Sequence, residues 1–101
     1  PILVVKCDQS REAFNREKLK QGILLACTKR PISIDQIETM VNQVENFLKD
    51  QSKEEVSSKE IGELVMKHLK QLDQVAYVRF ASVYRKFQDM DEFLSEIRGL
   101  K

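Results

Sequence analysis

Ile2-Leu3-Val4-Val5-Lys6-Cys7-Asp8-Gln9-Ser10-Arg11-Glu12-Ala13-Phe14-Asn15-Arg16-Glu17-Lys18-Leu19 carries two different secondary-structure signals in succession. Ile2 to Val5 is a β-branched and aliphatic run, and Lys6 continues its alternation, which predicts a strand. Asp8-Gln9-Ser10 is turn chemistry, and Arg11 to Phe14 can return as a short second strand. The turn lacks a glycine, so any left-handed residue in it must be tolerated by a side chain that resists that conformation. An isolated two-stranded ribbon is marginal in water, so this hairpin must pack on something else. Asn15 then suits a helix N-cap, with Phe14 and Leu19 at the staple positions on either side of it.

Downstream the pattern is helical. Leu19, Ile23, Ala26 and Cys27 recur on one face. Pro31 ends that helix. Ser33-Ile34-Asp35-Gln36 reads as a capping box, and Ile37, Met40, Val41, Val44, Phe47 and Leu48 form a stripe. Val56 stands alone in a polar connector and is a candidate third strand beside the hairpin. Ser57-Ser58-Lys59-Glu60 is a second capping box, ahead of Ile61, Leu64, Val65, Leu69 and Leu72. Asp73 is the expected cap of a fourth helix running to Phe87. Its apolar residues (Val75, Tyr77, Val78, Phe80, Val83, Tyr84) surround it, which predicts a central, buried helix. A last short helix follows Asp89, with Phe93, Leu94 and Ile97 on its apolar face and Gly99 near its end. The expected fold is α+β and mainly helical, a short hairpin with a possible third strand packed on a four- to five-helix bundle. Residues 1–101 form one domain.

Composition narrows the function. The 101 residues hold 17 Lys+Arg against 16 Asp+Glu, and 42% are hydrophobic. That is an ordinary globular composition. The balanced charge argues against strong nucleic-acid binding by this chain alone, because phosphate contacts dominate such affinity. No apolar run approaches the ~18–20 residues of a membrane span. Cys7 and Cys27 are too few for a disulfide framework or a four-cysteine zinc site. The chain begins at Pro1 rather than Met, and the expectation is that it is an excised or processed piece.

No Ser/His/Asp or Cys/His arrangement is defensible, and no glycine-rich phosphate loop is present. His68 reads as a boundary histidine, Cys27 as a core cysteine, and Cys7 as exposed at the turn. Asp89/Asp91 and Glu54/Glu55 read as capping and solvated charges. Lys6 and Lys18 are more informative. A lysine in the first turn of a helix opposes the macrodipole, and its position makes sense if an anion also sits there. Arg11 and Arg16 add local positive charge. On these residues alone, a solvated Lys18 is the simpler reading.

A resemblance shifts that balance. Val4-Val5-Lys6 and Arg11 through Leu19 resemble the start of an ATP-cone, the small regulatory nucleotide-binding domain of many ribonucleotide reductases. Lys29-Arg30-Pro31-Ile32-Ser33, Ile61-Gly62-Glu63-Leu64-Val65-Met66 and above all Val75-Ala76-Tyr77-Val78-Arg79-Phe80-Ala81-Ser82-Val83-Tyr84-Arg85 resemble the NrdR family. Those are bacterial transcriptional repressors of ribonucleotide reductase genes. The resemblance covers the whole chain.

The resemblance implies a domain that binds ATP or dATP, with Mg2+, beneath the hairpin as a lid. It implies that the nucleotide selects a homo-oligomeric form. Operator DNA would be read by an N-terminal zinc ribbon, which holds zinc with four cysteines and lies outside this sequence. It further implies a non-enzymatic, cytoplasmic bacterial protein, at the nucleoid when on DNA. Carried over by position, Val4 and Lys6 match hairpin contacts, and Glu12 matches a lid acid that accepts from base or sugar. Lys18 matches the lysine that reaches the phosphates. Ser58 and Gly62 match positions near the adenine, and Tyr84 a position facing the pocket. Two departures stand out. Cys7 follows Lys6 where the family usually has arginine, a charge-assisted phosphate partner worth roughly 1.5–3 kcal/mol. Gln9 also replaces the usual turn glycine. Arg11 or Lys20 is the expected compensation for Cys7, with a redox role as a lesser reading. Tyr77, Phe80 and Phe87 are expected core, Arg79 an ion-pair partner of an acid such as Glu63 or a subunit contact, and Arg85-Lys86 a solvated helix end. The alternatives are an ATP-cone from another reductase-related protein, or a helical protein-interaction module without a ligand.

Overall fold

The computed structural model describes residues 2–87 and 89–100. The chain runs β1 (Leu3–Val5), β2 (Arg11–Ala13), α1 (Arg16–Ala26), α2 (Ile34–Asp50), β3 (Glu55–Ser57), α3 (Ser58–Leu72), α4 (Gln74–Tyr84) and α5 (Met90–Arg98). The sheet order is β2-β1-β3. Val4 lies opposite Glu12 in the antiparallel hairpin and opposite Val56 in the parallel pair. The expected third strand is therefore present. It buries both faces of the problem at once, because Val4 and Val56 both join the core.

The hairpin turn is closed by Asp8, whose carboxylate accepts from the Ser10 N–H at 2.9 Å and from the Ser10 hydroxyl at 2.6 Å. Gln9 takes the left-handed conformation, with φ of 71°. A side chain there costs about 1–2 kcal/mol, which the Asp8 turn bonds offset. Outside the turn, Arg11 is tied across the sheet to Glu55 at 2.5 Å.

Helix starts follow the cap chemistry of the sequence. Asn15 Oδ1 accepts from the Lys18 N–H at 3.1 Å. Ser33 and Gln36 form a reciprocal capping box at α2. At α3, Ser57 accepts from the Glu60 N–H at 3.0 Å, the Ser-to-backbone half of the box. Asp73 and Asp89 cap α4 and α5 through the Ala76 and Glu92 N–H groups. The core centres on α2 and α3, through Ile37, Val41, Val44, Val65, Met66 and Leu69, and Ile23 of α1 closes it.

Three expectations change here. The fourth helix stops at Tyr84 rather than Phe87 and is not buried all round. Ala76, Tyr77 and Ala81 are buried, whereas Val83 is 73% exposed and Val75 also faces outward. Helix α4 packs on α3, α1 and α5, and Val75 and Val83 are left exposed. Arg79 does not pair with Glu63. Its guanidinium donates to the Thr28 carbonyl at 2.6 Å and the Ala26 carbonyl at 3.4 Å. It thereby closes the C-terminus of α1, whose own last turn has no basic residue. Arg85 is not a solvated helix end either. It bridges Glu63 of α3, at 3.2 Å, and Glu96 of α5.

Asp73 shows how strongly one cap can matter. Its side chain is 7% exposed and also meets Arg30 at 3.0 Å. Burial resists its ionisation, but the Ala76 N–H and the Arg30 guanidinium prevail and hold the carboxyl below the usual aspartate value. A depressed folded pKa contributes stability above the unfolded value of about 3.9, and that stability is lost as pH falls through the folded value. Asp73→Ala should cost about 1 kcal/mol at pH 7. Asp73→Asn keeps the cap and should flatten the acid limb of thermal stability below about pH 4. Melting curves from pH 7 to 3 check both, and an acid limb unchanged in Asp73→Asn would refute the assignment.

Candidate functional site

Beneath the hairpin, β1, β2 and the first turns of α1 and α3 enclose a pocket of about 210 Å³. Residues at the start of two helices, Asn15 and Lys18 at α1 and Ser58 at α3, thus line one cavity near the positive ends of both dipoles, an arrangement that favours an anion. Val4 forms the buried floor of the roof strand, and Glu12 and Lys18 stand at the mouth. Ser58 lies on the wall from α3. The Lys18 ammonium donates to Glu12 at 2.9 Å. That hydrogen bond and the charges of Lys18 and Lys6 hold the Glu12 carboxyl below its ordinary value, against the desolvation it suffers.

Four of the seven expected residues, Val4, Glu12, Lys18 and Ser58, share this pocket. Lys6 is exposed at the hairpin end and acts on Glu12 through its field. Gly62 and Tyr84 sit one layer away and face each other. A Cβ on Gly62 would lie 2.1–2.7 Å from three Tyr84 ring carbons. The Tyr84 hydroxyl donates to the Lys59 carbonyl at 2.5 Å, in the same turn of α3 as Ser58. Burial, then Glu63 and Cys7, raise its pKa above the usual tyrosine value.

Phe80, expected as core only, is half-buried and forms a pocket wall. It stacks on Tyr84 with centroids 6.1 Å apart and planes at 23°. Gly22 lies on the opposite wall, and nothing approaches within 4 Å of where its Cβ would sit. A glycine inside a helix costs about 1 kcal/mol against alanine, and that cost was the available signal in the sequence. Phe80 had none, because an aromatic at helical spacing looks the same on a core face and on a cavity wall.

The expected positive cluster is dispersed. Arg16 turns to α2, pairing with Glu38 at 2.8 Å and Glu45 at 2.9 Å, and Lys20 also pairs with Glu38. Arg11 is on Glu55 and Lys20 on Glu38, and neither is among the residues that line the pocket. Cys7 is exposed and Cys27 buried, with its thiol pushed up by burial. His68 is half-buried, and burial and Lys67 push its imidazole down.

The donor set fits a nucleotide with its own magnesium better than a protein-held metal. Among the described residues no group of three potential ligand side chains converges, and Glu12 is the sole carboxylate lining the pocket. Mg2+ is commonly held largely by substrate phosphates. Two cysteines, one buried and one exposed, do not fit zinc in this chain. No helix among the described residues is long and apolar enough to cross a membrane.

The family model for the ATP cone domain matches residues 2–90. The transcriptional repressor NrdR of Acetivibrio thermocellus is 57% identical over 100 residues, covering 99% of this chain and 66% of its own length. NrdR of Desulfitobacterium hafniense is 58% identical over 100 residues, covering 99% of this chain and 65% of its own length. NrdR of Clostridium beijerinckii is 52% identical over 101 residues, covering the whole chain and 68% of its own length. The chain thus spans about two thirds of the length of these repressors. Matched by the cone from residue 2 to 90 and by repressors at more than half of its positions, the chain belongs to the ATP-cone family and, within it, to the NrdR repressor family.

Proposed function

We propose that this chain is the nucleotide-sensing domain of a bacterial, cytoplasmic repressor of ribonucleotide reductase genes. ATP or dATP occupies the pocket beneath the hairpin, with Mg2+ carried on its phosphates, and the bound nucleotide governs homo-oligomerisation and hence operator binding. The observation that carries this reading is one cavity that joins two helix N-termini, the Lys18 ammonium and a three-stranded lid. Lys18 and the N–H groups of α1 take phosphate, Val4 and Ser58 bound the base, and Glu12 and Lys6 act from the lid. Gly62 and Tyr84 set the packing behind the wall. DNA contact belongs to a zinc ribbon outside this sequence.

ATP and dATP differ by one hydroxyl, so discrimination needs a polar contact at the ribose or a different lid closure. Nothing in the pocket supplies a base for hydrolysis beyond Glu12, which Lys18 holds ionised but engaged. The role is regulatory, and phosphate release should be absent. Titration calorimetry with Mg-ATP and Mg-dATP, followed by sizing with each nucleotide and with none, tests the proposal. Saturable heat and a nucleotide-dependent mass are expected. Calorimetric silence would favour a ligand-free interaction module, and an unchanged mass with binding intact would remove oligomer control from this chain.

A further inference from the structure

We propose that α5 is a releasable strap, gripped by Arg85 at the end of α4 and loosened when a ligand enters the pocket beneath the hairpin. The coupling rests on the nucleotide-binding reading of that pocket. The strap itself rests on how α5 is attached.

Helix α5 is amphipathic in sequence but buries no residue fully. Its fixed point is polar. The Glu96 carboxylate, on a side chain only 14% exposed, receives both the Tyr77 hydroxyl and the Arg85 guanidinium. Burial and Glu96 push the Tyr77 hydroxyl up to about 12, so it stays a donor. Arg85 also reaches Glu63 of α3. Further attachments are the Phe87–Phe93 edge-to-face pair at 5.6 Å and the Gln74 amide on the Leu100 carbonyl at 3.3 Å. An element held by few buried apolar groups opens locally at low cost.

The pocket supplies the force. Its 210 Å³ lies below the roughly 300 Å³ at which small-molecule sites begin, so a larger ligand presses on the wall that yields most easily. The roof strand is paired on both sides, and the helix N-termini are capped. Phe80 has no polar tether and has free space behind it. A second groove of about 440 Å³ between α1 and α4 shares Phe80 and Gly22 with the pocket. Phe80 moving into that groove presses on its stacked neighbour Tyr84, and because the Tyr84 hydroxyl is held by the Lys59 carbonyl the strain passes to the turn that follows. Arg85 then cannot keep both Glu63 on α3 and Glu96 on α5.

Hydrogen–deuterium exchange of residues 91–98, with calorimetry in parallel, tests this. Without nucleotide, Arg85→Ala should speed exchange in α5 about tenfold, the loss of a charge-assisted bond, while α1 to α3 stay protected. If that variant unfolds, Glu96→Gln takes its place, since it removes the charge and keeps an acceptor for Tyr77. In the wild-type chain, saturating Mg-ATP should speed the same amides about fivefold. Coupling is reciprocal, so Arg85→Ala, with its strap already loose, should bind Mg-ATP more tightly, by up to that same factor. Unchanged α5 exchange in both variants would overturn the strap. Mg-ATP heat with unmoved α5 amides, or weaker binding by Arg85→Ala, would overturn the coupling alone. No heat in the wild-type chain would overturn the coupling together with the reading of the pocket.

Discussion

Lys18→Ala should weaken Mg-ATP binding by roughly tenfold or more and leave the fold intact. The binding loss follows from one charge-assisted hydrogen bond to a phosphate, worth about 1.5–3 kcal/mol, in a pocket with no other cation among the described residues that line it. The fold should survive because Lys18 is 62% exposed and its partner Glu12 is 40% exposed. Such surface pairs are worth about 0–1 kcal/mol. Alanine is also a better helix former, and removing a positive charge from the first turn of α1 relieves an unfavourable dipole contact. Thermal stability should therefore hold or rise slightly while affinity falls. Calorimetry and a melting curve on one preparation separate the two effects. Wild-type affinity in Lys18→Ala would mean that the ammonium serves only Glu12. A lower melting temperature with lost binding would mean that Lys18 holds the lid and not the ligand.

What the sequence made legible was local. Caps at Asn15, Ser33, Ser57, Asp73 and Asp89 are written in residues that bond the backbone three positions on, so each helix start was predictable. Val56 was recognisable as a strand because an isolated apolar residue in a polar connector needs a covered place. Partner choice was not legible. Arg16, Arg79 and Arg85 looked alike as exposed or ambiguous cations. Their partners lie 22 to 53 positions away (Glu38 and Glu45, the Ala26 and Thr28 carbonyls, Glu63), except where Arg85 reaches Glu96, 11 positions ahead. Those pairings depend on how α1, α2, α4 and α5 cross, which periodicity does not encode. The same limit explains the site. Val4, Glu12, Lys18 and Ser58 came from a positional resemblance, while Phe80 and Gly22 became visible only once α1 and α4 were placed side by side.

Gly62→Ala should destabilise the chain by about 2 kcal/mol, opposite in sign to what helix propensity predicts. Gly62 is an interior residue of α3, where alanine is normally favoured by about 1 kcal/mol. Here the added Cβ would stand 2.1, 2.3 and 2.7 Å from the Cε1, Cζ and Cδ1 atoms of Tyr84. The ring cannot swing aside freely, because its hydroxyl is bonded to the Lys59 carbonyl and its face is stacked on Phe80. Overpacking of this kind costs about 1–3 kcal/mol and occasionally more. The clash therefore outweighs the propensity gain. For a domain of this size, a loss near 2 kcal/mol lowers the melting temperature by about 8–16 °C. Removing the ring should reverse the sign. In the Tyr84→Ala background the Gly62→Ala change has no ring to meet, and should stabilise by the ordinary helix increment. A double-mutant cycle in denaturant then gives a coupling of about 3 kcal/mol between the two positions, the loss of about 2 kcal/mol with the ring present set against the gain of about 1 kcal/mol without it. Additive single effects, or a Gly62→Ala chain more stable than wild type, would mean that Tyr84 yields without cost and does not fix the wall behind the pocket.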